Sequence, residues 1–205
     1  MRSRFSRFAH EAPAPLGHNL GPPLDAGYSW RRHVWKKAKK AAIKQPPIEV
    51  VRRRVRRAKQ LGLEYPQYAS ILMGSGRDVR AFLFTAEAIG MRVLREIRMD
   101  EAKARKLEGL LDCDRLLLAP AGEDAAACAA ALSVVGGAIA AAGPGPTHPV
   151  MLRAGAKALR EVLDPLKLPG DAVVMIGATA EERDWADAAR LAKFLTAESY
   201  FGANP

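Results

Sequence analysis

The chain has 205 residues, 49% of them apolar and 26% charged, with 32 Lys and Arg against 22 Asp and Glu and a formal net charge of +10. That composition allows a buried core in one or two domains and excludes a globally disordered chain. No apolar run approaches the roughly 18 residues of a membrane span, and Cys113 and Cys128 make neither a disulfide framework nor a metal-ligand spacing, so a cytoplasmic setting is expected.

The charge is unevenly placed. Residues 1–60 hold 16 Lys and Arg against 3 acids, whereas residues 61–205 hold 16 against 19. A basic arm therefore precedes a near-neutral body, which points to an anionic partner. Residues 1–28 are Arg-rich at their start but lack the apolar run of a secretory leader. The stretch Gly17–Asp25 cannot be a helix interior, because Pro22 and Pro23 remove backbone donors. It is read as extended, with His18 and Asn19 in a turn. It resembles a GHNxGPPL element of uncharacterised alphaproteobacterial proteins, a likeness of about nine residues that implies no chemistry.

Residues 29–45 predict a basic amphipathic helix, with Ser29 as N-cap. Trp30 and Trp35 stand among Arg31, Arg32, Lys36, Lys37, Lys39 and Lys40. Such a helix can contact nucleic-acid backbone with Trp as a stacking platform, lie on anionic lipid, or be a solvated face. After Pro46-Pro47, the positions Ile48, Val51, Val55, Ala58 and Leu61 form a second helical stripe. Arg52, Arg53, Arg54, Arg56 and Arg57 cover its other faces and suit phosphate contacts, because guanidinium is fork-shaped and always charged. A short helix over Glu64–Met73 follows Gly62, but no helix carries a set of base-reading side chains, so sequence-specific reading is not expected. Gly74-Ser75-Gly76 reads as a linker, giving an extended segment (1–28), a helical arm (29–75) and a body (78–205).

In the body, apolar strands are expected at Asp78–Phe84, Leu116–Ala119, Ala138–Ala141 and Ala172–Ile176, with a last one near Ser199–Phe201. Helices are expected over Met91–Leu111, Ala125–Val135 and Pro149–Leu163, and from Trp185 through Leu195. This alternation predicts a three-layer α/β domain with a parallel sheet.

Residues 78–201 resemble the core of the haloacid dehalogenase (HAD-like) superfamily. The likeness rests on the strand Val79–Phe84 followed by Thr85-Ala86-Glu87, and on the cadence from the strand through Gly177-Ala178 and Asp184 into a helix. It implies a Rossmannoid core. Thr85 stands where the family has its nucleophilic Asp, Glu87 where it has the acid/base, and Ala178 where a Mg²⁺ ligand is expected. The strand Leu116–Ala119 ends in Ala119-Pro120 instead of Thr or Ser, and the Lys position falls near His148, Pro149 and Met151, with Lys157 two turns on. Covalent phosphoryl transfer needs a carboxylate nucleophile, and Mg²⁺ needs converging carboxylates. The expectation is therefore a non-catalytic HAD-like domain with no cofactor, whose basic arm binds RNA or DNA backbone without base reading. One alternative is a divergent Mg²⁺-dependent phosphatase using Thr85, Glu87 and Asp184, with Glu87 and Asp184 on the metal. The other is an assembly adaptor whose arm folds on an acidic protein surface. Asp112-Cys113-Asp114 precedes its strand and is read as a loop.

Overall fold

The computed structural model describes residues 32–35, 37, 46–93, 97–146 and 152–202, with backbone alone at 92–93 and 97–98. Trp30, Arg31, Lys36, Lys39, Lys40, the Gly17–Asp25 element and His148, all named above, lie outside the described residues. The chain divides into two compact units, Met1–Pro46 and Pro47–Pro205. In the first, residues 32–35 and 37 are helical, and Arg32, Val34, Trp35 and Lys37 are exposed.

The second unit begins with α1 (Ile48–Gln60) and α2 (Tyr65–Ser75). It continues through β1 (Ala81–Thr85), the single turn α3 (Ala86–Ile89) and a hairpin of β2 (Arg92–Val93) and β3 (Ile97–Arg98). Then come α4 (Glu101–Glu108), β4 (Asp114–Ala119), α5 (Ala125–Gly136), β5 (Ala141–Pro144) and α6 (Leu152–Leu163). β6 (Val173–Gly177), α7 (Ala180–Ala188), β7 (Lys193–Thr196) and α8 (Ala197–Phe201) complete it.

The five main strands form one parallel sheet in the order β5-β4-β1-β6-β7. β1 and β6 are buried along their whole length, as strands covered on both faces must be. Strand alternation divides the core in two. Phe82, Phe84, Leu117, Val174 and Ile176 face a cluster completed by Ala58, Tyr68, Ile71, Leu107, Leu132 and Tyr200. Leu83, Leu116, Leu118, Val173 and Met175 face Leu159, Val162, Leu163 and Trp185. The expected three-layer, Rossmann-like α/β architecture is thus what the chain adopts.

Several boundaries differ from expectation. Helices α1 and α2 bury Ala58, Tyr68 and Ile71 in the same cluster as Phe82 and Phe84, so the division falls at Pro46–Pro47 and not after residue 75. The expected helix through Leu195 stops at Ala188, where Arg190 turns to a left-handed φ of 58° and the Arg160 guanidinium donates to the Ala189 carbonyl. The chain then doubles back, Ala192 N donating to Val173 O at 2.9 Å, and residues 193–196 run beside β6 as a strand. Ser199–Phe201 is helical instead of extended, because the Thr196 hydroxyl accepts from Ser199 N at 3.1 Å and starts α8. The hairpin interrupts the helix expected over Met91–Leu111, and the third strand lies at 141–144.

Candidate functional sites

Strands β1, β4 and β5 open at their carboxyl ends into a cavity of about 320 Å³, which is where open parallel sheets place ligands. Thr85 ends β1 at its rim. The residue is 3% exposed and its hydroxyl accepts from Ala88 N at 3.2 Å, so it serves as N-cap of α3. Glu87, on the first turn of α3, lines the same cavity and is exposed. On the far side, Gly145 lies so close to the end of β4 that a Cβ would sit 2.3 Å from Ala119 O.

The acid that closes the cavity from α7 is Glu182, not Asp184. Glu182 is 6% exposed, and its Oε2 accepts from Ala178 N at 2.6 Å and Thr179 N at 3.0 Å. The Thr179 hydroxyl returns the favour by accepting from Glu182 N at 3.2 Å. This reciprocal capping box satisfies donors that the start of a helix otherwise leaves orphaned. The carboxylate folds over Gly177, where a Cβ would sit 2.7 Å from Glu182 Oε2 and 2.4 Å from the Phe194 ring. The signal is present in the sequence as Thr179-x-x-Glu182 after an apolar strand. Asp184 is exposed on α7 and does not line the cavity.

The structure thus brings Thr85 and Glu87 to one cavity and leaves Asp184 outside it. The resemblance implies Mg²⁺, and the donor set does not fit that ion. Of the two lining acids, Glu182 already receives two backbone N–H groups through one oxygen, Ala178 contributes no side-chain oxygen, and Thr85 is uncharged. Among the described residues, no three His, Cys, Asp or Glu side chains are grouped to hold a metal. No Lys, Arg or His among them lines the cavity to receive a phosphate. No family model, curated protein or solved structure matches the chain.

The second candidate is the basic side of α1. Glu49, Arg52, Arg53, Arg56 and Lys59 are exposed along it, and Arg52 donates to Glu49 at 2.8 Å. Arg57, expected to contact an anionic polymer, is instead turned into the fold. Its side chain is 16% exposed. Nε donates to Asp78 Oδ2 at 2.9 Å, Nη1 to Leu111 O at 3.1 Å, and Nη2 to Val79 O at 2.9 Å and Asp112 O at 3.1 Å. Arg57 therefore ties α1 to the starts of β1 and β4. Asp78 is equally occupied, since Oδ1 also accepts from Tyr68 Oη at 2.9 Å and Val79 N at 2.8 Å. Burial first, and then the bond to Asp78, push the Tyr68 hydroxyl up to about 12. Beside this network, a groove of about 510 Å³ runs between α1 and α2, lined by Arg53, Arg54 and Arg56 over Val50 and Leu72.

Proposed function

We propose that the protein binds the phosphate backbone of RNA or DNA without reading bases, through its basic N-terminal part. In this reading the α/β body is a HAD-like domain that performs no phosphoryl transfer and takes no metal. The observation that carries it is the state of the arginines on α1. Arg53, Arg54 and Arg56 have no carboxylate partner among the described residues, and they lie within one turn of each other. Like charges so close repel unless an anion lies among them. The exposed Lys59, Arg32 and Lys37 extend the supply of cations.

The HAD-like relation is supported by Thr85 ending β1 and Gly177 ending the adjacent β6, the two places where the resemblance sets its first and last motifs. The loss of chemistry is supported by the donor set described above. A cytoplasmic setting belongs to the same reading: Cys113 and Cys128 are both free thiols, and no described helix is long and apolar enough to cross a membrane.

The test is a titration of labelled RNA and DNA with the full chain at several salt concentrations. Backbone binding predicts that log affinity falls linearly with log salt and that RNA or DNA of any sequence is bound alike. Salt-independent binding, or none, would remove the reading.

A further inference from the structure

We propose that the groove between α1 and α2 seats a backbone phosphate of that polymer, held by Arg53, Arg54 and Arg56. This assignment rests on the anionic-polymer reading and adds the place on the chain where the polymer is gripped.

The helical period brings Val50, Arg53, Arg54 and Arg57 to the side of α1 that faces α2, with Arg56 at the rim. Tyr68 and Leu72, one turn apart on α2, form the opposite wall. Asp78 is the acid that lines this groove, and its carboxylate is spent on Arg57, Tyr68 and the Val79 N–H. The Asp78 charge balances Arg57 alone. Three guanidinium groups are left over, in a groove that the half-buried Val50 and Leu72 also line. An apolar wall lowers the local dielectric and strengthens the field of the charges beside it. A phosphate, with several acceptor oxygens, suits the planar fork of arginine better than any neutral ligand does.

The groove, about 510 Å³, is larger than a single phosphate group needs. Lys59, and Arg52 in its pair with Glu49, lie along α1 outside it. A lone anion would leave Lys59 unaddressed, whereas a polymer with a charge on every unit can meet it as well. Arg57 is here a positioning residue: it fixes the angle at which α1 presents the other arginines.

The experiment uses the full chain and a labelled single-stranded DNA oligonucleotide of mixed sequence. The variant Arg53→Gln/Arg56→Gln is compared with Arg52→Gln/Lys59→Gln, which removes the same charge from outside the groove. The groove pair is expected to lose about tenfold more affinity than the outer pair, and its salt slope is expected to fall by about 1 to 2. Equal losses would overturn the groove and leave the polymer reading standing, while no binding by the wild-type chain would overturn both. Should the groove pair unfold, Arg53→Lys/Arg56→Lys keeps the charge and removes the fork, and unchanged affinity in that variant would overturn the assignment. A poly-glutamate competitor as effective as unlabelled oligonucleotide would overturn the phosphate.

Discussion

The Arg57 guanidinium and the Asp78 carboxylate meet at 2.9 Å across 21 residues of sequence, and each carries further bonds into the backbone of the body. Arg57 also satisfies the carbonyls of Val79, Leu111 and Asp112. Its role is thus to join α1 to the sheet, and its loss leaves a carboxylate and three carbonyls short of a donor. Arg57→Ala is expected to cost about 2 kcal/mol, at the charged end of single hydrogen-bond deletions. Asp78→Asn keeps the shape and should cost about 1 kcal/mol. Urea denaturation monitored by circular dichroism gives both values. A midpoint for Arg57→Ala equal to wild type would show that the network adds nothing.

The close approach at Gly177 makes a second prediction. A methyl group there meets the Phe194 ring and the Glu182 carboxylate together, and the latter is pinned by its two N–H donors. Gly177→Ala should destabilise by about 1–3 kcal/mol, the range for overpacking a filled core. Thr179→Ala, which removes one half of the capping box, should cost about 1 kcal/mol. If Gly177→Ala is neutral, Phe194 and Glu182 have room to move that the structure does not show.

These two sites also show where the sequence stops being legible. Strands β1, β4 and β6 stand out because both faces are buried and the runs Phe82–Phe84, Leu116–Leu118 and Val173–Ile176 are therefore continuously apolar. β7 does not, because Leu191, Ala192 and Leu195 fall at helical spacing; the turn that follows α7 combines the left-handed Arg190 with a bond from the distant Arg160 guanidinium to the Ala189 carbonyl. The hairpin is two residues on each strand, too short to impose alternation on so polar a stretch. Arg57 looks like its neighbours, since nothing local marks which arginine of a run will find Asp78. At the cavity, Thr85 and Glu87 are legible because they directly follow an apolar strand. Asp184 is misleading for the reason that Glu182 is informative: only the residue at the third helical position can reach back to the cap.

The cavity itself should be catalytically silent. With Mg²⁺ and an aryl phosphate, the full chain is expected to release no phosphate above the uncatalysed background. Any residual signal should be unchanged in Glu87→Ala and Asp184→Ala. A Mg²⁺-dependent rate abolished by either substitution would establish the phosphatase alternative. Thr85→Ala separates the two roles of that residue. As a cap alone, its loss should lower stability by about 1 kcal/mol.

Alkaline pH offers the most specific check on the packing around α1 and α2. Burial pushes the Cys113 thiol up from 9.0 to about 12, and burial together with Asp78 pushes Tyr68 up from 10.0 to about 12. Burial raises Tyr200 and Cys128 as well. For each, the folded state holds its proton more tightly than the unfolded state. The stabilisation is therefore complete below the unfolded values of 9.0 and 10.0 and is lost as pH rises through the folded ones near 12. Lys106, which burial holds below the usual Lys range, acts in the opposite sense, one group against four. Stability should hold level to about pH 9 and fall from there to about pH 12. Denaturation midpoints, taken under reductant across that range, give the curve. Tyr68→Phe should flatten it, because the titrating hydroxyl that faces Asp78 is gone. An identical alkaline slope in wild type and Tyr68→Phe would mean that the Tyr68 hydroxyl is not held in the environment described.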